Sequence, residues 1–204
     1  MRQKWEILGK YTNNDSVVEK ILEIRGVKDT DEFLNPLSIS DYFKNFDTGF
    51  KKSLKKAKNL IGSCISENYE IVIFGDYDSD GINATAILYN TIKNELKYKK
   101  VDYFIPNRFE HGYGFSIEAL DEVFKKYEDE KVLIISVDSG ITAVNEVAYL
   151  KNNGYKLIIT DHHQKPEILP DADVIVWNDQ VVGATVSWIL SKVLGSKDEK
   201  NLGL

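Results

Sequence analysis

From Ile71 onward the chain alternates short apolar runs with amphipathic stretches, and this alternation constrains its fold more than any other feature. Strands buried on both faces lose the every-second-residue polar pattern. A parallel sheet therefore appears in sequence as brief, almost wholly apolar segments separated by crossover helices. Residues 71–74, 101–105, 132–137, 156–160 and 174–176 read as strands. Helices are expected near residues 83–96, 116–126, 143–152 and 184–194, each following a strand. The order predicts an α/β fold: a doubly wound, mainly parallel sheet of about five strands with helices on both faces.

Up to Glu67 the pattern is helical and irregular, so the expectation is a helical segment over residues 1–67 packed on a core formed by residues 68–204. Asp29 with Glu32 reads as a capping box before a short helix that Pro36 stops. Leu54, Ala57, Ile61 and Cys64 fall on one helical stripe, with Lys51, Lys52, Lys55, Lys56 and Lys58 around it. A solvated helix face explains those lysines better than a phosphate-contacting surface.

Composition narrows the function. With 26 Lys and Arg against 32 Asp and Glu, the formal charge of -6 does not attract nucleic acid, so any polyanionic substrate must meet bound cations or a local basic surface. The lone cysteine, Cys64, excludes an intramolecular disulfide framework and a cysteine-rich zinc site, and reads as buried filler. The N-terminus lacks the order of a secretory signal, and no apolar run approaches a membrane span. A cytoplasmic, soluble protein with no membrane partner is the expectation.

In a doubly wound sheet, ligands bind beyond the carboxyl ends of the strands, and three of these strands end in acidic or imidazole groups. The first runs into Gly75-Asp76-Tyr77-Asp78-Ser79-Asp80-Gly81, three carboxylates at alternate positions that repel one another unless a cation holds them. An EF-hand loop is excluded on two grounds: its twelfth position is Ile87 where a bidentate glutamate is needed, and a strand rather than a helix precedes it. The third strand ends in Asp138-Ser139-Gly140 and the fourth in Asp161-His162-His163. Asp138 alone would pass for a helix cap, and the histidines alone for surface residues. Gathered at one sheet edge, they form a ligand set that suits Mn²⁺, with Zn²⁺, Fe²⁺ and Mg²⁺ left open. Two cations about 3.5–4 Å apart can clamp an in-line displacement at phosphorus, which points to phosphoester hydrolysis.

Taken in order, GDYDSDG, IPNRFEHGYGFS, VDSGI, TDHH and VGATVSWIL resemble the DHH phosphoesterases, and among them the RecJ-type exonucleases specific for single-stranded DNA. The resemblance begins at Lys4-Trp5-Glu6-Ile7 and spans nearly the whole chain. It implies that Asp78, Asp80, Asp138 and His162 are metal ligands, with Asp138 bridging two Mn²⁺ (or Mg²⁺) ions and Asp76 a ligand or a neighbour of the ligands. It makes Asp78, Asp80, Asp138, His162 and His163 the catalytic set, His163 facing the substrate phosphate or the leaving oxygen, and Asp161 orienting the site through hydrogen bonds. Water is then the nucleophile, with no covalent intermediate.

Arg108 is the leading candidate for gripping phosphate, within a substrate-binding group that also holds Asn107, His111, Tyr113 and His163. His111 stands where relatives carry an acidic residue, and Phe109 and Tyr113 read as loop anchors before base-stacking platforms. The implied function is 5′-to-3′ digestion of single-stranded DNA in repair and recombination, with a single-strand-binding or repair protein as partner. Two other readings keep the centre: hydrolysis of short oligonucleotides, cyclic dinucleotides or polyphosphate, and a module that binds without hydrolysis. The family pattern continues to a fourth metal motif and a second, substrate-binding domain. Neither is reached before Leu204, so the expectation is an N-terminal catalytic portion that is inactive alone, or a natural minimal relative.

Overall fold

The computed structural model describes residues 16–35, 39–112 and 114–197. The chain divides into two compact units, Met1–Phe46 and Asp47–Leu204. In the first, α1 (Val17–Ile24) is capped by Ser16 and α2 (Thr30–Leu34) by Asp29, whose carboxylate accepts the Glu32 amide at 2.9 Å, and α3 spans Ile39–Asn45. Helix α2 ends before Pro36, which lies outside the described residues.

The division falls between Phe46 and Asp47 rather than after residue 67, because α4 (Thr48–Ser66) belongs to the sheet. Asp47 caps it, and Phe50, Leu54, Ala57, Ile61 and Cys64 form its buried stripe. The five flanking lysines are exposed, as expected of a solvated face. One of them, Lys58, donates to the Val193 carbonyl at 2.9 Å.

Strands β1 (Glu70–Phe74), β2 (Val101–Phe104), β3 (Val132–Val137), β4 (Lys156–Asp161) and β5 (Val174–Trp177) form one sheet in the order β2-β1-β3-β4-β5. Every pairing is parallel. Strand side chains alternate between faces. Val72, Phe74, Ile134, Leu157 and Ile159 pack with Leu120 and Val123 of α7 (Ile117–Lys126) and Val147 and Leu150 of α8 (Val144–Asn152). Ile71, Ile73, Leu133, Ile135 and Ile158 point to the opposite face, which α4, α5 (Ser79–Asn90) and α9 (Gly183–Leu194) cover. Each fully buried aliphatic or aromatic side chain contributes roughly 1.5–3 kcal/mol, so the doubly covered sheet is the rigid part of the molecule.

Helix α5 starts at Ser79, four residues before the expected start, because Asp78 caps it and draws Asp80 and Gly81 into the first turn. It widens into a π-helical turn over Thr91–Glu95, where the Thr91 hydroxyl bonds back to the Ile87 carbonyl at 2.8 Å. A short helix, α6 (Arg108–His111), occupies a stretch read from sequence as a loop. Among the described residues no helix is long and apolar enough to cross a membrane.

The chain leaves β1 for β2 on one side and returns past it to β3 on the other. The reversal opens a crevice at the carboxyl ends of β1 and β3.

Candidate metal centre

Beyond β1 the backbone passes Gly75, where a Cβ would fall 2.1 Å from Thr85 Oγ1, and enters the carboxylate loop. Asp76 accepts the Tyr77 amide at 2.6 Å, and Asp78, exposed at the start of α5, accepts the Gly81 amide at 2.9 Å. Burial raises the Asp76 pKa, an effect only partly offset by the Tyr77 amide. Asp80 turns the other way. Its two oxygens accept the Gly183 and Ala184 amides, each at 2.7 Å, so one carboxylate satisfies two of the orphan donors at the start of α9.

Asp138 ends β3 in the left-handed region, with φ 58°, a conformation costly for a residue with a Cβ. Its amide donates to the Thr160 carbonyl at 2.9 Å, which fixes the turn against β4. The side chain is 2% exposed, and its Oδ1 has no hydrogen-bond partner among the described residues. His162 Nε2 lies only 3.1 Å from that oxygen, yet not in hydrogen-bonding alignment. Two donor atoms that approach without bonding suit a cation held between them. Burial, then the charges of Asp80 and Asp78, push the Asp138 pKa up to about 8, so its ionised form calls for a compensating positive charge.

Asp161, 1% exposed, organises the end of β4. Its Oδ2 accepts the Ile141 amide at 2.9 Å, and its Oδ1 accepts the amides of His162 at 2.7 Å and His163 at 3.1 Å. The same Oδ1 lies 2.8 Å from His163 Nδ1, and because a carboxylate only accepts, this contact puts a ring proton on Nδ1. Burial alone would lower the His163 pKa, but the hydrogen bond and charge of Asp161 outweigh it and the net shift is upward.

Asp138, His162 and His163 can each offer one ligand atom within 4.8 Å of the others. Asp80 Oδ2 is 3.6 Å from His162 Nε2 and retains lone pairs beyond the α9 amides. Asp76 lines the adjoining cleft of about 340 Å³ together with Phe115, Ile141, Glu146 and His163. The expected ligands thus divide: Asp138, His162 and Asp80 converge, Asp76 stands in the cleft wall, and Asp78 serves as a cap at the exposed rim. His163, expected only to face substrate, also comes within ligand distance. Carboxylates and imidazoles around a buried, unpartnered oxygen fit a hard or borderline divalent cation.

The substrate-side residues are arranged differently from expectation. Asn107 caps α6 by accepting the Phe109 amide at 3.0 Å. His111 accepts the Asn107 amide on Nδ1 at 3.0 Å and pairs through Nε2 with Glu122 at 2.8 Å. With both ring nitrogens used inside the protein, His111 braces the loop. The Arg108 guanidinium lies 5.6 Å from the centre of the Tyr77 ring, beside the carboxylate loop. Phe109 is 96% exposed and anchors nothing. Tyr113 lies outside the described residues.

Three contributors escaped the sequence reading. Gly183 packs so closely that a Cβ would fall 2.3 Å from Asp138 Oδ1, Trp177 Nε1 donates to the His163 carbonyl at 2.7 Å, and Lys165 lies on the Trp177 ring. The glycine opening α9 was a visible signal for the first, and nothing local announces the other two.

Residues 70–202 match the sequence profile of the DHH family, N-terminal domain. The chain belongs to the DHH family. Among DHH-family relatives, it is 32% identical over 169 residues to the single-stranded-DNA-specific exonuclease RecJ of Haemophilus influenzae, covering 83% of this chain and 28% of that protein. It is 37% identical over 137 residues to the Bacillus subtilis RecJ, covering 67% of this chain and 16% of that protein. A crystal structure of exonuclease RecJ bound to manganese superposes with a TM-score of 0.61 at 32% identity, over 74% of this chain and 38% of that one. RecJ from Thermus thermophilus in complex with Mn²⁺ gives a TM-score of 0.60 at 26% identity, over 92% of this chain and 25% of that one. The doubly wound parallel sheet expected from the strand order is the fold observed.

Proposed function

We propose that this chain is a divalent-cation-dependent phosphodiesterase that removes nucleotides from single-stranded DNA in the 5′-to-3′ direction, in the manner of the RecJ exonucleases it resembles, and so serves DNA repair and recombination. The observation that carries this reading is the buried, unpartnered Asp138 Oδ1, converging with His162 and His163 at the switch point of a DHH-family sheet. Asp138, His162 and Asp80 would hold the cations, with Asp76 and Asp78 close enough in sequence to complete a second site. Two manganese ions suit this donor set, and the manganese in the two solved relatives supports the choice. Bound cations would neutralise charge on the phosphoryl group and acidify a water.

The protein's own groups supply the remaining chemistry. His163, its Nδ1 tied to Asp161, has Nε2 as its second ring nitrogen and in its protonated form donates from it to a phosphate or leaving oxygen. Its raised pKa keeps that form populated at higher pH. Arg108, steadied on Tyr77, offers a fork for a second phosphate oxygen. The cleft beside Asp138 receives the reacting end.

The test is hydrolysis of a 5′-labelled single-stranded oligonucleotide with Mn²⁺, with Asp80→Ala and His162→Ala alongside. We expect cation-dependent release of nucleotides that falls at least about 100-fold in both variants. Cleavage that survives either substitution, or that ignores chelation, contradicts the assignment.

A further inference from the structure

Beyond the ligand set, the β4–β5 side of the centre carries a cation–aromatic pair. Trp177 closes β5 opposite Asp161 in the strand register, and its indole N–H donates to the His163 carbonyl at 2.7 Å. On its ring rests the Lys165 ammonium, 3.6 Å from the centroid. Lys165 is exposed, sits two residues past His163, and is neutralised by no carboxylate among the described residues. A comparable pair, Arg108 on Tyr77, stands on the far side. Because the strand order is β2-β1-β3-β4-β5, the two pairs flank the acidic centre, and the outermost strands are about 19 Å apart. That distance exceeds what one nucleotide occupies, so a polynucleotide crossing the carboxyl edge can meet both.

An exposed cation–π contact stabilises a fold only weakly, which is a weak structural reason for the pair. A lysine already ordered on an indole loses less side-chain entropy when it binds a phosphate. In a chain of net charge -6, a local cation at the rim is also what a polyanion requires.

We propose that Lys165, held on Trp177, contacts a backbone phosphate of a single-stranded polynucleotide on the β5 side of the scissile bond, and that the same indole ties this contact to the His163 segment. The inference rests on the phosphodiesterase reading.

The experiment measures binding of a fluorescent single-stranded thymidine oligonucleotide to this chain by anisotropy, with Ca²⁺ in place of Mn²⁺, over a range of salt concentrations. Each phosphate contact to a single strand contributes about 0.7 to the slope of log K against log salt. We expect Lys165→Ala to weaken binding and reduce that slope by about 0.7, Lys165→Arg to restore it, and Trp177→Ala to reproduce the Lys165→Ala effect. If the parent binds and Lys165→Ala leaves slope and affinity unchanged, the contact is refuted while the phosphodiesterase reading stands. If the parent binds no oligonucleotide, both fall together.

Discussion

At the scale of single residues, the centre depends on atoms forced close together. Asp138 sits at positive φ with its carboxylate against the backbone of Gly183, leaving no room for a methyl group there. We therefore expect Gly183→Ala to displace Asp138 and weaken Mn²⁺ affinity about 10–100-fold, the range seen when groups that orient ligands are changed. Titration by isothermal calorimetry checks this, and unchanged affinity would mean that the contact does not position the carboxylate. That acidic and imidazole groups gather at the strand ends was legible in the sequence, because the fold brings those ends to one edge. The bonds that aim them were not, since Asp80 reaches Gly183 across 103 positions and Trp177 reaches back 14 to His163.

At the scale of elements, the strands were readable because burial on both faces makes each an unbroken apolar run, and observed ends differ from expected ones by a residue at most. The start of α5 was misread because aspartate and glycine are poor helix formers; the Asp78 cap overrides that preference. Helix α6 was missed because its four residues are too few to show periodicity. The link between β2 and α7 carries a pH dependence. Burial opposes ionisation of Asp102, but Lys126, the Tyr103 amide and the Tyr127 hydroxyl outweigh it and hold the carboxyl below its ordinary pKa. A depressed carboxyl stabilises the fold above its unfolded pKa of about 3.9 and loses that contribution as pH falls through the folded value. Asp102→Asn should therefore lower stability at pH 7 by at most about 1 kcal/mol, given the partial exposure, with the difference vanishing in acid. Urea midpoints across that range test it; a deficit that persists in acid, below the folded pKa of the carboxyl, would rule out the ionised pair as its cause.

At the scale of the molecule, the candidate centre is gathered on one edge of one compact unit. Residues 47–204 contain the sheet, both layers of helices and every candidate ligand among the described residues. A protein lacking residues 1–46 should keep a cooperative thermal transition and its Mn²⁺-induced shift; loss of the transition would show that the first unit is required for folding. The net charge of -6 gives the whole surface no attraction for a polyanion, so the proposed binding of DNA would have to be local, with Arg108 and Lys165 as the candidate cationic contacts. The relatives extend well past this chain, which spans 28% of the Haemophilus influenzae protein. The candidate ligands, from Asp76 to His163, lie within the region that matches the DHH family.

The measurement that bears most directly on that centre is equilibrium Mn²⁺ binding by the folded chain, followed by electron paramagnetic resonance, with Asp138→Asn and His162→Ala as companions. We expect saturable binding in the parent that both substitutions abolish or weaken by at least about 100-fold. A folded parent that binds no Mn²⁺, or variants that bind it as tightly as the parent does, would contradict it.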